Sequence, residues 1–240
     1  MKATLGPDHP SSLTCMNNLA KTYQAAGKLD LALPLFEETL KLRKATLGPE
    51  HPDTLASMNN LATAYNDANQ GEQAAATLKE FAAGIRKGPK RDDPQFAGQL
   101  ANASLELLRC GQHVIAEELL RECLAIREKT QPDDWRTFNT QSMLGGALLG
   151  QKKYAEAEPL LLAGYEGMKQ REKTIPEQGK IRFPEAIERL VQLYTDWHAA
   201  EPDRGYDAKA AEWQTKLNDF KAAANAEPSP TTDKTTVNAK

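Results

Sequence analysis

The 240-residue sequence has little excess of either charge, no long apolar run and few cysteines. Its 30 Lys and Arg residues nearly balance 33 Asp and Glu residues, which excludes a strongly basic nucleic-acid-binding protein. No apolar stretch approaches the roughly 20 residues of a membrane-spanning helix, and the first residues lack the apolar core of a signal peptide. We therefore expect a cytoplasmic protein without a membrane partner.

The cysteines and the common catalytic motifs give no sign of an enzyme. Cys15, Cys110 and Cys123 are odd in number and widely spaced, so they form neither a disulfide framework nor a metal-binding knuckle. Each lies in a helical pattern, which favours a small buried apolar role over a nucleophile. The sequence also lacks a phosphate-binding loop and the signatures of kinases, zinc proteases and serine hydrolases. We expect no catalytic residues, no metal and no cofactor.

A repeat with a period of 42 residues organises the first part of the chain. The segment Thr-Leu-Gly-Pro-Asp-His-Pro at 4–10 returns at 46–52 with Glu in place of Asp, and Met-Asn-Asn-Leu-Ala at 16–20 returns at 58–62. A shift of 84 residues finds a third copy, and a shift of 125 finds a fourth copy that has lost one residue. A fifth copy is degenerate. A fixed period of this size is typical of stacked structural units.

Each unit has the pattern of two amphipathic helices joined by a turn. In the first unit, apolar residues recur at the steps of three and four that mark one face of an α-helix. The first stripe comprises Leu13, Met16, Leu19, Ala20 and Tyr23, and the second comprises Leu29, Ala32, Leu35, Phe36 and Leu40. Gly27 stands between the stripes, where a helix C-terminus favours glycine. The sequence therefore predicts an all-α stack of helical hairpins that cover one another's apolar stripes.

The residue pattern of these hairpins resembles the tetratricopeptide repeat, which has about 34 residues per unit. The 42-residue period, the Thr-Leu-Gly-Pro connector and the Met-Asn-Asn-Leu-Ala motif resemble the long repeats of kinesin light chain and its bacterial relatives. The resemblance is strong over residues 4–87, moderate over 94–172 and weak beyond. It implies a right-handed α-solenoid of helix-turn-helix repeats, with first helices that line a concave, peptide-binding groove.

The repeats divide the chain into successive segments. Residues 1–10 are interpreted as the end of a preceding repeat and a connector. Four repeats follow at 11–52, 53–93, 94–132 and 133–176. Residues 177–224 form a degenerate fifth repeat or capping helices, and 225–240 are expected to be a disordered tail. Because residues 2–5 match 44–47, we expect the chain to begin in the middle of a unit. The outer face of the first hairpin is then exposed unless another repeat, domain or chain contacts it.

The same resemblance implies that the second Asn of each Asn-Asn pair holds the backbone of a bound peptide. The positions are Asn18, Asn60 and Asn102, and an amide can both donate to and accept from a peptide. Polar neighbours are expected to share this wall. The candidate groove residues are Asn17, Asn18, Lys21, Gln24, Asn59, Asn60, Thr63, Asn66, Asp67, Asn102 and Arg109. Lys21 and Arg109 could pair with an acidic ligand; the alternative for each residue is a solvated side chain.

Two histidines and two tryptophans have structural interpretations. His9 and His51 lie in the proline-flanked connectors, without other ligands at metal-binding spacing, and are interpreted as loop residues that pack against or cap the following helices. Trp197 and Trp213 lie in the last unit, where we expect them to close the end of the solenoid.

The function predicted from these features is a non-catalytic scaffold that binds a protein or peptide ligand. Two alternatives stay open. The chain could be a regulatory or sensing segment of a larger bacterial signalling enzyme such as a serine/threonine kinase, or a self-assembling structural repeat protein.

Overall fold

The computed structural model describes Gly6, residues 8–87 and residues 92–226, and these residues form α-helices and short connections without a β-strand. The helices are α1 (Pro10–Ala25), α2 (Leu29–Leu47), α3 (Pro52–Asp67), α4 (Gly71–Lys87), α5 (Pro94–Arg109), α6 (His113–Thr130), α7 (Trp135–Gly150), α8 (Tyr154–Gln170), α9 (Arg182–Ala200) and α10 (Tyr206–Ala226). Consecutive helices pack as antiparallel hairpins, with the most extensive contact between α7 and α8. None of these helices is long and apolar enough to cross a membrane.

The helix boundaries reproduce the period of the sequence. First helices begin at Pro10, Pro52, Pro94 and Trp135, and second helices begin at Leu29, Gly71, His113 and Tyr154. Both series advance by 42, 42 and then 41 residues. The residue missing from the fourth copy is therefore lost between the start of α6 and the start of α7. The repeat offsets inferred from matching residues in the sequence therefore equal the spacings between the helix starts in the structure.

The turn inside each of the first four hairpins uses one residue with positive φ. These residues are Gly27, Asn69, Gly111 and Lys152, with φ values of 71°, 57°, 67° and 62°. At the first turn, the Lys28 N–H donates to the Tyr23 carbonyl at 2.9 Å, which closes the end of α1 as in a Schellman motif. The predicted role of Gly27 at a helix C-terminus is therefore confirmed. Asn69 and Lys152 adopt the same left-handed conformation, although Asn tolerates it better than Lys does.

The connectors between hairpins end in residues that cap the next helix. The Nδ1 atom of His9 accepts from the Ser11 N–H at 3.1 Å, and that of His51 accepts from the Asp53 N–H at 3.2 Å. In the third and fourth units, aspartates at positions 93 and 134 perform the same function through carboxylate oxygens. The capping interpretation of the two histidines is confirmed, because each satisfies an otherwise unpaired backbone donor.

Stacking of the hairpins buries equivalent residues to different extents. Leu61 is 4% exposed and its counterpart in the fourth unit, Leu144, is 2% exposed, whereas Leu19 in the first unit is 46% exposed. The expectation that Leu19 lies in a buried stripe was wrong, because no described helix packs on that side of α1. Cys15 is likewise exposed rather than buried, whereas Cys123 is buried. The exposed Leu19 agrees with the expected open face of the first hairpin.

A buried arginine connects hairpins at two places. Arg43 Nη1 donates to the Asp53 carbonyl and to Ser57 Oγ, each at 2.8 Å. Its repeat counterpart, Arg127, contacts the first turn and a hydroxyl of α7 in the same way. Burial lowers the pKa of both guanidinium groups. These side chains fix the start of one hairpin against the end of the preceding hairpin.

Aromatic residues close the C-terminal end of the stack. Trp213 contacts Tyr165 edge to face, with ring centroids 4.8 Å apart, and Trp197 stacks on Tyr206 at 4.2 Å. Both tryptophans are buried, as their predicted closing role requires. Helix α10 extends to Ala226, two residues into the segment expected to be disordered. Residues 227–240 of that expected tail lie outside the described residues, as do 1–5 and Pro7 of the N-terminal segment.

Candidate functional site: the inner surface of the solenoid

The first helix of each hairpin lies on the inner side of the stack. Neighbouring first helices contact one another throughout the array, from α1 with α3 to α7 with α9, whereas among the described second helices comparable contact is present only between α4 and α6. Helices on the inside of a curved stack lie closer together than helices on the outside. The candidate residues, which all belong to first helices, therefore lie on the helices that form this inner surface.

The first Asn of each pair belongs to the interface between hairpins. Asn17 and Asn59 are 7% and 8% exposed. Asn17 Oδ1 accepts from Asn60 Nδ2 at 3.1 Å, and Asn59 Nδ2 donates to the Gln99 carbonyl at 3.1 Å. These bonds join α1 to α3 and α3 to α5. The structure therefore places Asn17 and Asn59 between first helices rather than on the open surface.

The second Asn of each pair is more accessible, but the three positions are not equivalent. Asn18 and Asn102 are exposed, and neither side chain makes a hydrogen bond within residues 8–87 or 92–226. Asn60 is half-buried and already donates to Asn17. The side-chain amides of Asn18 and Asn102 are therefore open to solvent, whereas the amide of Asn60, in the hairpin between them, is hydrogen-bonded to Asn17.

Polar pairs join the C-terminal ends of the first three inner helices. Gln24 Nε2 donates to Asp67 Oδ2 at 2.7 Å, and Asn66 Nδ2 donates to Glu106 Oε2 at 2.6 Å. Glu106 also accepts from Arg109 Nη1 at 3.3 Å. Four predicted groove residues therefore form bonds within the solenoid, although the Arg109 side chain remains 51% exposed.

The remaining two predicted residues have different environments. Lys21 is exposed on α1, and the Thr63 hydroxyl donates to the Asn59 carbonyl at 3.0 Å within α3. Thr63 is therefore satisfied locally, whereas the Lys21 ammonium group is open to solvent. The structure thus leaves Asn18, Lys21 and Asn102 as the candidate residues whose side chains make no hydrogen bond or ion pair within the described residues.

A cleft of about 650 Å³ lies on the inner surface between α5, α7 and the connector before α9. The predicted residue Asn102 lines this cleft together with Leu105, Trp135 and Arg127. An adjoining cleft of about 420 Å³ lies towards the C-terminal ends of the same helices and includes Leu105 and Arg109. Because Leu105 lines both, the two clefts adjoin, and together they are called the inner strip.

Sequence reasoning missed the side of this strip formed by α7 and by the connector 171–181. The Asn-Asn motif is absent from α7, so extrapolation of the repeat placed no site residue there. One signal was available: the α8–α9 connection is eleven residues long, whereas the α2–α3 connection has four. A long connector inside an otherwise regular array marks a place where the surface departs from the repeat.

Comparison with known proteins agrees with this repeat geometry. A family model described as the tetratricopeptide repeat matches residues 12–53, 54–83 and 97–130. The chain carries tetratricopeptide repeats. The matched residues belong to the first three hairpins, and the hairpin α7–α8 continues the same helix periodicity beyond them.

Solved tetratricopeptide structures share the fold over nearly the whole chain. The nearly identical TPR-like repeats of a Podosopora anserina protein described as a kinesin light chain are 25% identical to it, with a TM-score of 0.66 over 91% of this chain and 99% of that chain. BtubC (BKLC) from P. vanneervenii is 17% identical, with a TM-score of 0.65 over 96% and 88%. MamA from Desulfovibrio magneticus RS-1 is 14% identical, with a TM-score of 0.57 over 93% and 100%. No curated protein matches by sequence.

These comparisons confirm the fold class expected for the tetratricopeptide repeats. A superhelix of the opposite hand would not superpose over nine-tenths of its length, so the match to the kinesin light chain-like repeats supports a right-handed α-solenoid. The tetratricopeptide repeats also support the general role of a protein-interaction scaffold.

Proposed function

We propose that the inner surface of the solenoid binds a segment of a partner protein, and that the protein acts as a non-catalytic scaffold. The observation that carries this proposal is the inner strip formed by the two adjoining clefts that share Leu105. It combines apolar side chains with amides and arginines, as expected of a surface that binds both the side chains and the backbone of a peptide.

In this proposal the two open amides contact the backbone of the ligand. Asn18 and Asn102 occupy the same position in hairpins one and three, and each can donate to a carbonyl and accept from an N–H. Asn60 has one amide hydrogen committed to Asn17 and contributes less. Lys21 and Arg109 lie on the same inner helices and are proposed to contact acidic side chains.

Selection from a random peptide library tests this function and requires no known partner. Peptides enriched on the purified protein are labelled, and their affinities are measured by fluorescence anisotropy. We expect Asn102→Ala to weaken binding about five-fold, because one net hydrogen bond contributes about 1 kcal/mol. Gln73→Ala removes an exposed amide from the second helix α4 and should leave the affinity unchanged. Equal affinities for both variants, or no enriched peptide, would reject the proposal.

One observation favours self-association as a second candidate. Leu19 and Leu31 on the first hairpin are 46% and 44% exposed, and exposed apolar side chains can be covered by another chain. Sedimentation equilibrium of the wild type and of a Leu19→Gln, Leu31→Gln variant tests this candidate. A mass that rises with concentration only in the wild type supports it, and a constant monomer mass removes it. The regulatory segment of a larger enzyme stays a prediction from the sequence.

A further inference from the structure

The second helix of the first hairpin makes most of the contact with the second hairpin. Helix α2 contacts α3 more extensively than α1 does. Four α2 residues that face the second hairpin are spaced three, three and one positions apart, which places them on one side of a helix. They are called the α2 contact set and comprise Glu37, Leu40, Arg43 and Lys44.

Each polar member of the α2 contact set has a defined partner on the second hairpin. Glu37 Oε1 accepts from the Tyr65 hydroxyl at 2.7 Å, and the Lys44 ammonium lies 2.7 Å from the Glu80 carboxylate. Arg43 donates to a carbonyl and to a hydroxyl of α3. The interface between the hairpins is therefore defined by specific bonds as well as by apolar contact.

An apolar contact lies between these bonds. Leu40 of α2 and Leu61 of α3 line the same groove between α2 and α4. Leu61 is 4% exposed, so the neighbouring hairpin covers it almost completely. The second hairpin thus receives α2 through one leucine, one tyrosine hydroxyl and one carboxylate.

The first hairpin has the same three receiving residues 42 positions earlier, but they have no comparable partners. They are Leu19, Tyr23 and Glu38, and together they are called the open face. Leu19 is 46% exposed, and Tyr23 is half-buried. The Tyr23 hydroxyl makes no hydrogen bond, and the exposed Glu38 makes no ion pair, within residues 8–87 and 92–226.

The two ends of the stack differ in chemistry. At the C-terminal end, α10 presents polar residues to solvent, among them Glu212, Gln214 and Asp219. A terminal unit with a polar outer side needs no further neighbour. The open face instead keeps the residue types that make contacts between hairpins inside the stack, so it is suited to receive one more helix.

The chemistry of the open face defines what can occupy it. A helix that reproduces the internal contacts must supply a carboxylate to the Tyr23 hydroxyl, an apolar side chain to Leu19 and a cation to Glu38. Helix α2 of a second copy cannot do so, because its contact set is already engaged by α3 and α4 of its own chain. The occupant is therefore expected to come from a different protein.

We propose that the open face is a docking site for an amphipathic helix of a partner protein. The docked helix carries Glu, Leu and Lys at the spacing of positions 37, 40 and 44, so that these side chains meet Tyr23, Leu19 and Glu38 respectively. This inference goes beyond the proposed function, because the open face lies at the end of the stack and not at the inner strip.

A synthetic peptide with the sequence of residues 29–47 is the probe, added to the full chain and followed by fluorescence anisotropy. We expect saturable binding that Leu19→Glu weakens at least five-fold, because the new charge would be buried under the helix. Leu31→Glu is the matched control: Leu31 is 44% exposed, and its counterpart Gln73 is exposed in the second hairpin. No saturable binding, or equal affinities for both variants, would overturn the proposal.

The helical form of the probe can be varied without changing its contact residues. Pro34 lies inside α2 and is exposed, and proline disfavours a helix interior. A Pro34→Ala peptide should therefore bind at least ten-fold more tightly than the unchanged peptide. Equal affinities would show that the probe does not bind as a helix and would contradict the proposal.

A charge exchange tests the orientation of the docked helix. Lys44→Glu in the peptide should weaken binding to the wild type about three-fold, because an exposed ion pair becomes a repulsion. Glu38→Lys in the protein should restore the affinity of this changed peptide. The exchange changes only an exposed side chain of the protein, so its fold should be unaffected. Failure of the restored pair would reject the assigned contact with Glu38.

The exposed Cys15 reports directly on coverage of the open face. Its counterpart Ser57 is 1% exposed and accepts from Arg43 of α2. Saturating probe should therefore slow alkylation of Cys15, measured by mass spectrometry, and leave that of Cys110 unchanged. Sedimentation of the wild type should give a monomer mass. A dimer that Leu19→Glu dissociates would show that a second copy covers the face and would overturn the proposal.

The results also distinguish this docking site from the inner surface. Asn102→Ala should leave the affinity of the 29–47 peptide unchanged, because Asn102 lines the inner strip. If library peptides bind in an Asn102-dependent manner and the 29–47 peptide does not bind, the scaffold function stands and the docking site is rejected. If the 29–47 peptide binds in a Leu19-dependent manner and no library peptide is enriched, the docking site stands and the inner-surface function fails.

Discussion

Asn60 Nδ2 donates to Asn17 Oδ1 at 3.1 Å, so the second Asn of one repeat is bonded to the first Asn of the preceding repeat. Asn17 lies almost completely buried between α1 and α3. The same Asn-Asn motif therefore has two roles, because it joins neighbouring hairpins and also presents an amide to the inner surface. The equivalent residues Asn18 and Asn102 are exposed and make no such bond within the described residues.

Replacement of Asn60 should destabilise the fold, whereas replacement of Asn18 should not. Asn60→Ala removes the bond to Asn17 and leaves a nearly buried acceptor without this partner, at a cost of about 1–2 kcal/mol relative to Asn18→Ala. Both variants gain the same helix propensity, so their difference isolates the contact. Urea unfolding monitored by circular dichroism measures it. Equal unfolding free energies for the two variants would show that the bond does not stabilise the stack.

Burial of the apolar stripe by a neighbouring hairpin can be measured with a matched pair of leucines. Leu61→Ala should lower the unfolding free energy by about 2–5 kcal/mol, because the side chain is 4% exposed and its loss leaves a cavity. Leu19→Ala changes the same position of the first repeat, where the leucine is 46% exposed, and should cost well under half as much. Similar losses from denaturant unfolding in both variants would contradict the packing described.

The hairpin turn of the fourth unit should be stabilised by glycine. Lys152 has a φ of 62°, a conformation that costs a residue with a side chain about 1 kcal/mol, and Gly27 and Gly111 occupy the same position in other units. Lys152→Gly should therefore raise the unfolding free energy by up to about 1 kcal/mol, and Gly27→Ala should lower it by a similar amount. Thermal unfolding of both variants tests the prediction, which fails if Lys152→Gly is less stable than the wild type.

Alkaline pH should weaken the contact between the second and third helices. The Tyr65 hydroxyl donates to Glu37 Oε1 at 2.7 Å, and burial, followed by this hydrogen bond and the carboxylate charge, raises the pKa of Tyr65 to about 12. The folded state therefore holds the proton more tightly than the unfolded state. This contribution to stability is fully present below the ordinary tyrosine pKa of about 10 and is lost as the pH rises from there through about 12.

A comparison of wild type and Tyr65→Phe isolates this contribution. Burial, followed by the hydrogen bond that its hydroxyl donates to Glu158, also raises the pKa of Tyr194, so part of the alkaline loss of stability will remain in the variant. We expect the unfolding free energy of Tyr65→Phe to fall less steeply above pH 10 than that of the wild type. Identical slopes would show that Tyr65 titrates alike in the folded and unfolded states.

The features that the sequence predicted are those that repeat. Gly27 and the capping His9 and His51 could be interpreted because the same local geometry returns in each unit and depends on a few neighbouring residues. Burial of Leu19 could not be predicted from its stripe, because burial depends on a neighbouring hairpin rather than on the helix itself. A stripe identifies the apolar face, but only the presence of a neighbour buries it.

The candidate site was predicted in part for the same reason. Extrapolation of the Asn-Asn motif led to Asn102, which lines the larger cleft, but also to Asn17 and Asn59, which lie between hairpins. The opposite wall contains Arg127, Trp135 and part of the connector 171–181, which has eleven residues, whereas the α2–α3 connection has four. A repeat-based prediction contains no information about an insertion that occurs once.

The position of a bound peptide tests the central claim most directly. NMR signals of side-chain amides should be followed while a library-selected peptide is added to the labelled protein. We predict that the largest shifts occur at Asn102 and Gln178, which line the cleft, while Gln73 on α4 and Gln170 at the end of α8 remain unchanged. Shifts confined to Gln73 and Gln170, with Asn102 and Gln178 unaffected, would contradict binding at the inner surface.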